Sequence, residues 1–281
     1  MSKTAYKDFT KRFGLLIKKH PALITMTLSN IFTMRLIGNK THGDLAEIAI
    51  AEFINQYMYD FKSVHVGKDL YRAKSKEEDI TVENEITHET FSISLKAYGD
   101  GPLQLSTDKN FQMYPLLESC GEYISGQSHL DKIFESPAFS CFSEINVLPL
   151  IYDEKKQRCN ILVFDAERAR NETAYIKKET EGAGRKHPAY RFFDKNDGSI
   201  CEVRYGNATA NALQRGLWTN TKNALPFFDS VTHGWVDYSH NLVLVKLFSH
   251  ALISSAKGHE VALTEITKDI ANLKQANGLN A

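Results

Sequence analysis

Two short runs decide the fold: Asp79-Ile80-Thr81-Val82-Glu83, and then Phe91-Ser92-Ile93-Ser94-Leu95-Lys96-Ala97. In the first, Asp79, Thr81 and Glu83 alternate with Ile80 and Val82. In the second, Ser92, Ser94 and Lys96 alternate with Phe91, Ile93, Leu95 and Ala97. Side chains of a β-strand point to opposite faces in turn, so each run is a strand with one apolar and one polar face. A polar turn near His88 and Glu89 joins them into a hairpin, closed by Gly99, Gly101 and Pro102. Another strand-like stretch, which includes Gln104, follows over 103–107. With the turn at 87–89, antiparallel pairing brings Asp79 close to Lys96 and sets Ser94 on the same face.

Upstream, Gly43-Asp44-Leu45-Ala46-Glu47 opens a stretch with helical apolar spacing that runs to about 61. Asp44 reads as the N-cap, with Glu47 three residues later as in a capping box. Residues 1–40 read as a basic helical part, in which Lys3, Lys7, Lys11, Arg12, Lys18, Lys19, Arg35 and Lys40 are accompanied by Asp8 as the acidic neighbour. Pro21 separates two helices there.

Downstream, 145–152 and 160–165 form a second hairpin across Asp153-Glu154-Lys155-Lys156. Its arms are almost continuously apolar, which predicts a central position in the sheet. Residues 166–189 read as a polar surface loop or a segment ordered on binding. Strands at 190–193 and 200–205 pair across Asn196-Asp197-Gly198. A helix or turn is expected over 207–221, a helix or strand over 241–255, and an amphipathic helix in the last twenty residues. These elements predict an α/β (α+β) fold, a mixed, twisted sheet with flanking helices, in one domain over 1–281 whose catalytic core is 43–165.

The formal net charge is zero, which argues against a simple basic nucleic-acid binder while leaving room for a local basic face. Cys120, Cys141, Cys159 and Cys201 form no CxxC pair and have no histidine at zinc-finger spacing, so they read as free thiols of a reducing cytoplasm. Lysines interrupt the N-terminal apolar stretches, so no secretory signal is expected, and no apolar run is long enough for a membrane span. Gly-x-Ser-x-Gly and Walker motifs are missing.

The first hairpin carries chemistry. An acid at the start of one strand opposite a lysine on the next suits metal-assisted phosphodiester cleavage: the carboxylate binds a hard divalent cation, and the lysine orients the attacking water and offsets phosphorane charge. In Glu78-Asp79-Ile80-Thr81-Val82 and Ile93-Ser94-Leu95-Lys96, preceded by Gly43-Asp44-Leu45-Ala46-Glu47, the sequence resembles the PD-(D/E)xK nuclease superfamily, type II restriction endonucleases above all. The resemblance covers about 43–107. It implies a restriction-endonuclease-like fold, Asp79 as ligand of Mg²⁺, Lys96 as catalytic lysine and Glu47 as accessory acid and second ligand. Glu78 stands where the family name has proline, and Ser94 occupies the second acidic position. A backbone carbonyl, Glu47, Glu78 or Glu83 would then supply the missing ligand.

Residues 185–225 form a candidate DNA-recognition region. Arg204, Asn211, Gln214 and Arg215 are residue types that read base edges, Arg185 and Lys186 can clamp the backbone, and Lys222 can reach a phosphate. Gln104 is a further candidate. Arg204 has a plainer alternative, pairing with Glu202 or Asp194, and Trp218 could be core. The function implied is sequence-specific, Mg²⁺-dependent hydrolysis of double-stranded DNA by a cytoplasmic homodimer. A structure-specific repair nuclease, a DNA-binding protein with a degenerate site and a protein-interaction domain remain alternatives.

Overall fold

The computed structural model describes residues 3–37, 42–66, 79–98, 101–108, 110–143, 145–180, 188–205, 215–220 and 225–247, with 264, 267–269, 271, 272 and 275 beyond them. The described residues form a mixed α+β structure, with three N-terminal helices and two sheets among them. Helix α1 (Lys3–Lys19) buries Tyr6, Phe9, Phe13 and Ile17, spaced at three and four residues along one face. Helix α2 (Pro21–Ile37) begins at its proline, where the missing N–H costs nothing, so Pro21 separates two helices as expected. Helix α3 (His42–Tyr57) starts two residues before Asp44. Asp44 therefore lies in the first turn rather than at the cap, where its charge still faces the positive helix end.

The first sheet runs in the order β1 (Phe61–His65), β2 (Ile80–Asn84), β3 (Thr90–Tyr98), β6 (Val147–Asp153), β7 (Arg158–Phe164), β12 (Phe228–Ser230), with β13 (Val236–Asp237) also on β7. Neighbours are antiparallel except β3 and β6, which are parallel. The β2–β3 register sets Ile80 opposite Ile93 and Val82 opposite Phe91, so the apolar face is Ile80, Val82, Phe91, Ile93 and Leu95, all buried under α1–α3.

The second sheet is antiparallel, in the order β4 (Pro102–Ser106), β11 (Gly216–Asn220), β10 (Ser199–Arg204), β9 (Ala189–Phe193), β8 (Tyr175–Glu179), β5 (Tyr123–Ser125). Its apolar face packs with the helices Met113–Cys120 and Gln127–Glu135 around Phe139, Tyr190 and Phe192. The hairpin β6–β7 serves both cores. Leu148, Leu150 and Ile161 face the first, and Val147, Ile151, Leu162 and Phe164 the second. Burial on both faces explains its almost unbroken apolar sequence and its central place.

Two expectations are corrected. Residues 166–180 are not loop: Ala166–Glu172 is a helix capped by the Asp165 carboxylate on the Arg168 amide, and β8 follows. Residues 215–220 are not helix or turn: β11 sits between β4 and β10. Gly216 permits this, with φ +103°. A Cβ there would stand 2.2 Å from the Ser106 carbonyl oxygen. The strand β1 was not expected at all. Of the expected C-terminal elements, 242–247 are helical, as are the scattered described residues beyond 263. Among the described residues, no helix is long and apolar enough to cross a membrane.

Candidate active site

Strand β3 has nine residues and β2 five, so the two part company at Asp79. The Asp79 amide still donates to the Ile93 carbonyl at 3.3 Å. One step further, the Leu95 amide has no β2 backbone to meet, and the Asp79 side chain takes its place. Oδ2 accepts from Leu95 N at 2.6 Å and from Ser94 Oγ at 2.9 Å. Lys96 Nζ stands 4.0 Å from the same oxygen. The carboxylate thus continues the ladder with one oxygen, a consequence of the acid's place just before the first paired residue.

Ser94 acts as a hydrogen-bond donor to Asp79. It contributes no negative charge, and it orients the acid that does. Glu83 stands apart from Asp79, at the turn end of the hairpin beside His88 Nδ1, 3.5 Å away. Glu78 lies outside the described residues.

Glu47 reaches the same end of the sheet from α3, which packs on β1 and β3. Its Oε2 is 3.1 Å from His65 Nε2, at the last position of β1 opposite Ile80. Burial raises the Glu47 carboxyl above the ordinary range. The His65 hydrogen bond works against that rise, and the negative charges of Asp79 and Asp44 add to it. The two acids are linked through β1, where His65, bonded to Glu47, pairs with Ile80 beside Asp79, and Lys96 is the cation next to Asp79.

A pair of partly buried carboxylates is a donor set for a hard divalent cation. Mg²⁺ keeps several waters and takes one or two carboxylates, so the residues present fit it. Among the described residues, no group of three His, Cys, Asp or Glu side chains is arranged to hold a metal. The remaining positions of the coordination shell would fall to water, a backbone carbonyl or the substrate.

Of the expected DNA contacts, the described ones lie on or beside the second sheet, and Gln104 and Arg204 are engaged within it. Gln104 Nε2 donates to Thr107 Oγ1 at 3.1 Å and to the Arg215 carbonyl at 3.0 Å. Arg204 Nε meets Glu202 Oε1 at 2.5 Å, with its guanidinium 4.3 Å above the Trp218 ring. The plainer alternative, pairing with Glu202, describes Arg204. Trp218 is half-buried on the polar side of the sheet, not in the core. Arg215 lies 3.4 Å over Phe111, with Nε and Nη1 buried and without a hydrogen-bond partner. Arg185, Lys186, Asn211, Gln214 and Lys222 lie outside the described residues. In the basic N-terminal part, Lys7 pairs with Glu167 and Arg12 with Asp8 and Asp60, while Lys11, Lys18 and Lys19 face solvent. Cys159 and Cys201 are buried, and burial raises both thiols.

His65 is the residue the sequence reading missed. Little in the sequence signals it: Phe61-Lys62-Ser63-Val64-His65 alternates buried and exposed positions, but the polar Ser63 is buried and the apolar Val64 exposed. No family model, curated protein or solved structure matches this chain.

Proposed function

We propose that the protein is a PD-(D/E)xK nuclease of the type II restriction kind, hydrolysing phosphodiester bonds of double-stranded DNA with Mg²⁺. The observation that carries the reading is the cluster of Asp79, Ser94 and Lys96 at one end of the first sheet, with Glu47 tied to that end through His65. The same four residues stand out in the sequence pattern, and they come from a helix, a strand and its hairpin partner. A restriction-endonuclease-like arrangement of the mixed sheet and its helices goes with this reading.

The chain's own groups divide the work. Asp79 and Glu47 bind the cation. The Leu95 amide and the Ser94 hydroxyl fix Asp79 through Oδ2, which leaves Oδ1 to the metal. Lys96 orients the attacking water and offsets charge that builds on the phosphate. Mg²⁺, when bound, polarises the scissile phosphate and lowers the pKa of the attacking water. In-line attack leaves a 5′-phosphate. A palindromic recognition sequence would match a cytoplasmic homodimer with one such site per strand.

Lys96→Ala is expected to abolish cleavage and leave DNA retention in a gel unchanged. A variant that cuts at the wild-type rate overturns the assignment. The second reading, a DNA-binding protein with a degenerate site, is favoured by one observation: Ser94 adds no charge, and among the described residues no group of three acids, histidines or cysteines is arranged to hold a metal. Salt-sensitive DNA retention with no cutting in Mg²⁺ or Mn²⁺ would select it.

A further inference from the structure

Glu47 is a long, flexible acid set against a like charge. Left to itself, its carboxylate would swing away from Asp79 towards water, since repulsion and rotamer entropy both favour that. The side-chain hydrogen bond that opposes this comes from His65, at 3.1 Å. His65 is in turn held by the sheet. It pairs with Ile80 in the β1–β2 ladder, and the next amide, Val66 N, donates to the Asp79 carbonyl at 3.0 Å. Two consecutive residues thus hold both acids, His65 at the Glu47 carboxylate and Val66 at the Asp79 main-chain carbonyl. Only one Glu47 oxygen, Oε2, lies in the bond to His65.

We propose that His65 is a positioning residue for the metal site: its Nε2–H donates to Glu47 Oε2 and holds Oε1 towards a divalent cation shared with Asp79. The inference rests on the nuclease reading only in taking Glu47 and Asp79 as the cation's carboxylates. The physical rule is general. Carboxylates that bind metals are themselves hydrogen-bonded, and removing such a partner costs about 10- to 100-fold in metal affinity.

The test is a Mn²⁺ titration of the full chain, with free Mn²⁺ read by electron paramagnetic resonance and no DNA present. His65→Ala is expected to weaken Mn²⁺ binding by about 10-fold or more. His65→Gln is expected to recover most of that loss, because the glutamine Nε2–H can occupy the place of the imidazole Nε2–H. In a Glu47→Gln background, His65→Ala should have no further effect. Thermal melts of each variant separate a lost fold from a lost ligand, and the His65→Gln comparison stands if His65→Ala fails to fold. Wild-type affinity in His65→Ala, equal loss in the alanine and glutamine variants, or a full His65→Ala effect without Glu47 overturns the proposal. So does a wild-type chain that binds no Mn²⁺. Cleavage assays keep the two ideas apart. DNA cutting with an unchanged His65→Ala titration sinks the positioning role alone, and the expected Mn²⁺ pattern without DNA cutting sinks the nuclease reading alone.

Discussion

Asp79 has a structural task and a chemical one, and two substitutions separate them. Its Oδ2 satisfies the Leu95 amide at 2.6 Å, on a residue whose side chain is buried. Asp79→Ala removes that acceptor, and a buried N–H left unpaired costs about 1–3 kcal/mol. The Ser94 hydroxyl is half-buried and turns to water at little cost. The Lys96 contact is 4.0 Å and partly exposed, so screening leaves it about 0–1 kcal/mol. Loss of repulsion on Glu47 offsets part of this. The net destabilisation expected is about 2 kcal/mol. Asp79→Asn keeps one side-chain oxygen to accept from both donors, so its loss should stay under about 1 kcal/mol. Both variants lose the charged metal ligand and should be inactive. Equilibrium unfolding in urea, followed by circular dichroism, reads the midpoint shift at constant slope. Equal stability of the alanine variant and the wild type would refute the ladder argument, and so would equal losses in the alanine and asparagine variants.

Three further outcomes are expected. Phe9 is fully buried and touches the rings of Tyr6, Phe13, Phe61 and Phe91, so Phe9→Ala should cost about 3–5 kcal/mol in the same urea experiment. Gly216→Ala must hold φ near +103° and place a Cβ 2.2 Å from the Ser106 carbonyl oxygen, so a loss of at least ~2 kcal/mol is expected. A temperature midpoint equal to wild type would contradict it. At pH 8, a thiol reagent should modify exposed Cys120 quickly. Cys159, pushed up to about 12 by burial, and Cys201, raised further from reaction by the same cause, should wait for unfolding, as peptide mapping by mass spectrometry will read.

The first hairpin was legible because its two faces differ in polarity and its turn fixes the register. A shift of one residue would turn Ile80 and Ile93 to solvent. That register carried Asp79, Ser94 and Lys96 with it, and helical spacing carried Glu47. The central hairpin was legible as buried, but the division of its faces between two cores depends on partners far away in the chain. Strand β1 was hidden by its length and by Ser63, a polar residue buried through hydrogen bonds to the Ala51 carbonyl and Asn55. Strand β8 was hidden by charge. Lys178 reaches Glu118, and Glu179 reaches Arg191 on the neighbouring strand, partners that a local pattern does not reveal. Strand β11 was hidden because a left-handed Gly216 and pairing with β4 and β10 decide its conformation over local propensity. His65 escaped for the same reason as β1: its meaning comes from Glu47, across a packing contact between strand and helix.

The most direct test of the central claim is digestion of methylation-free phage DNA by the purified chain with Mg²⁺, with Lys96→Ala in parallel. The account predicts discrete fragments from the wild type and intact DNA from the variant. Intact DNA in both lanes, on several templates and with Mn²⁺ as well, would contradict it.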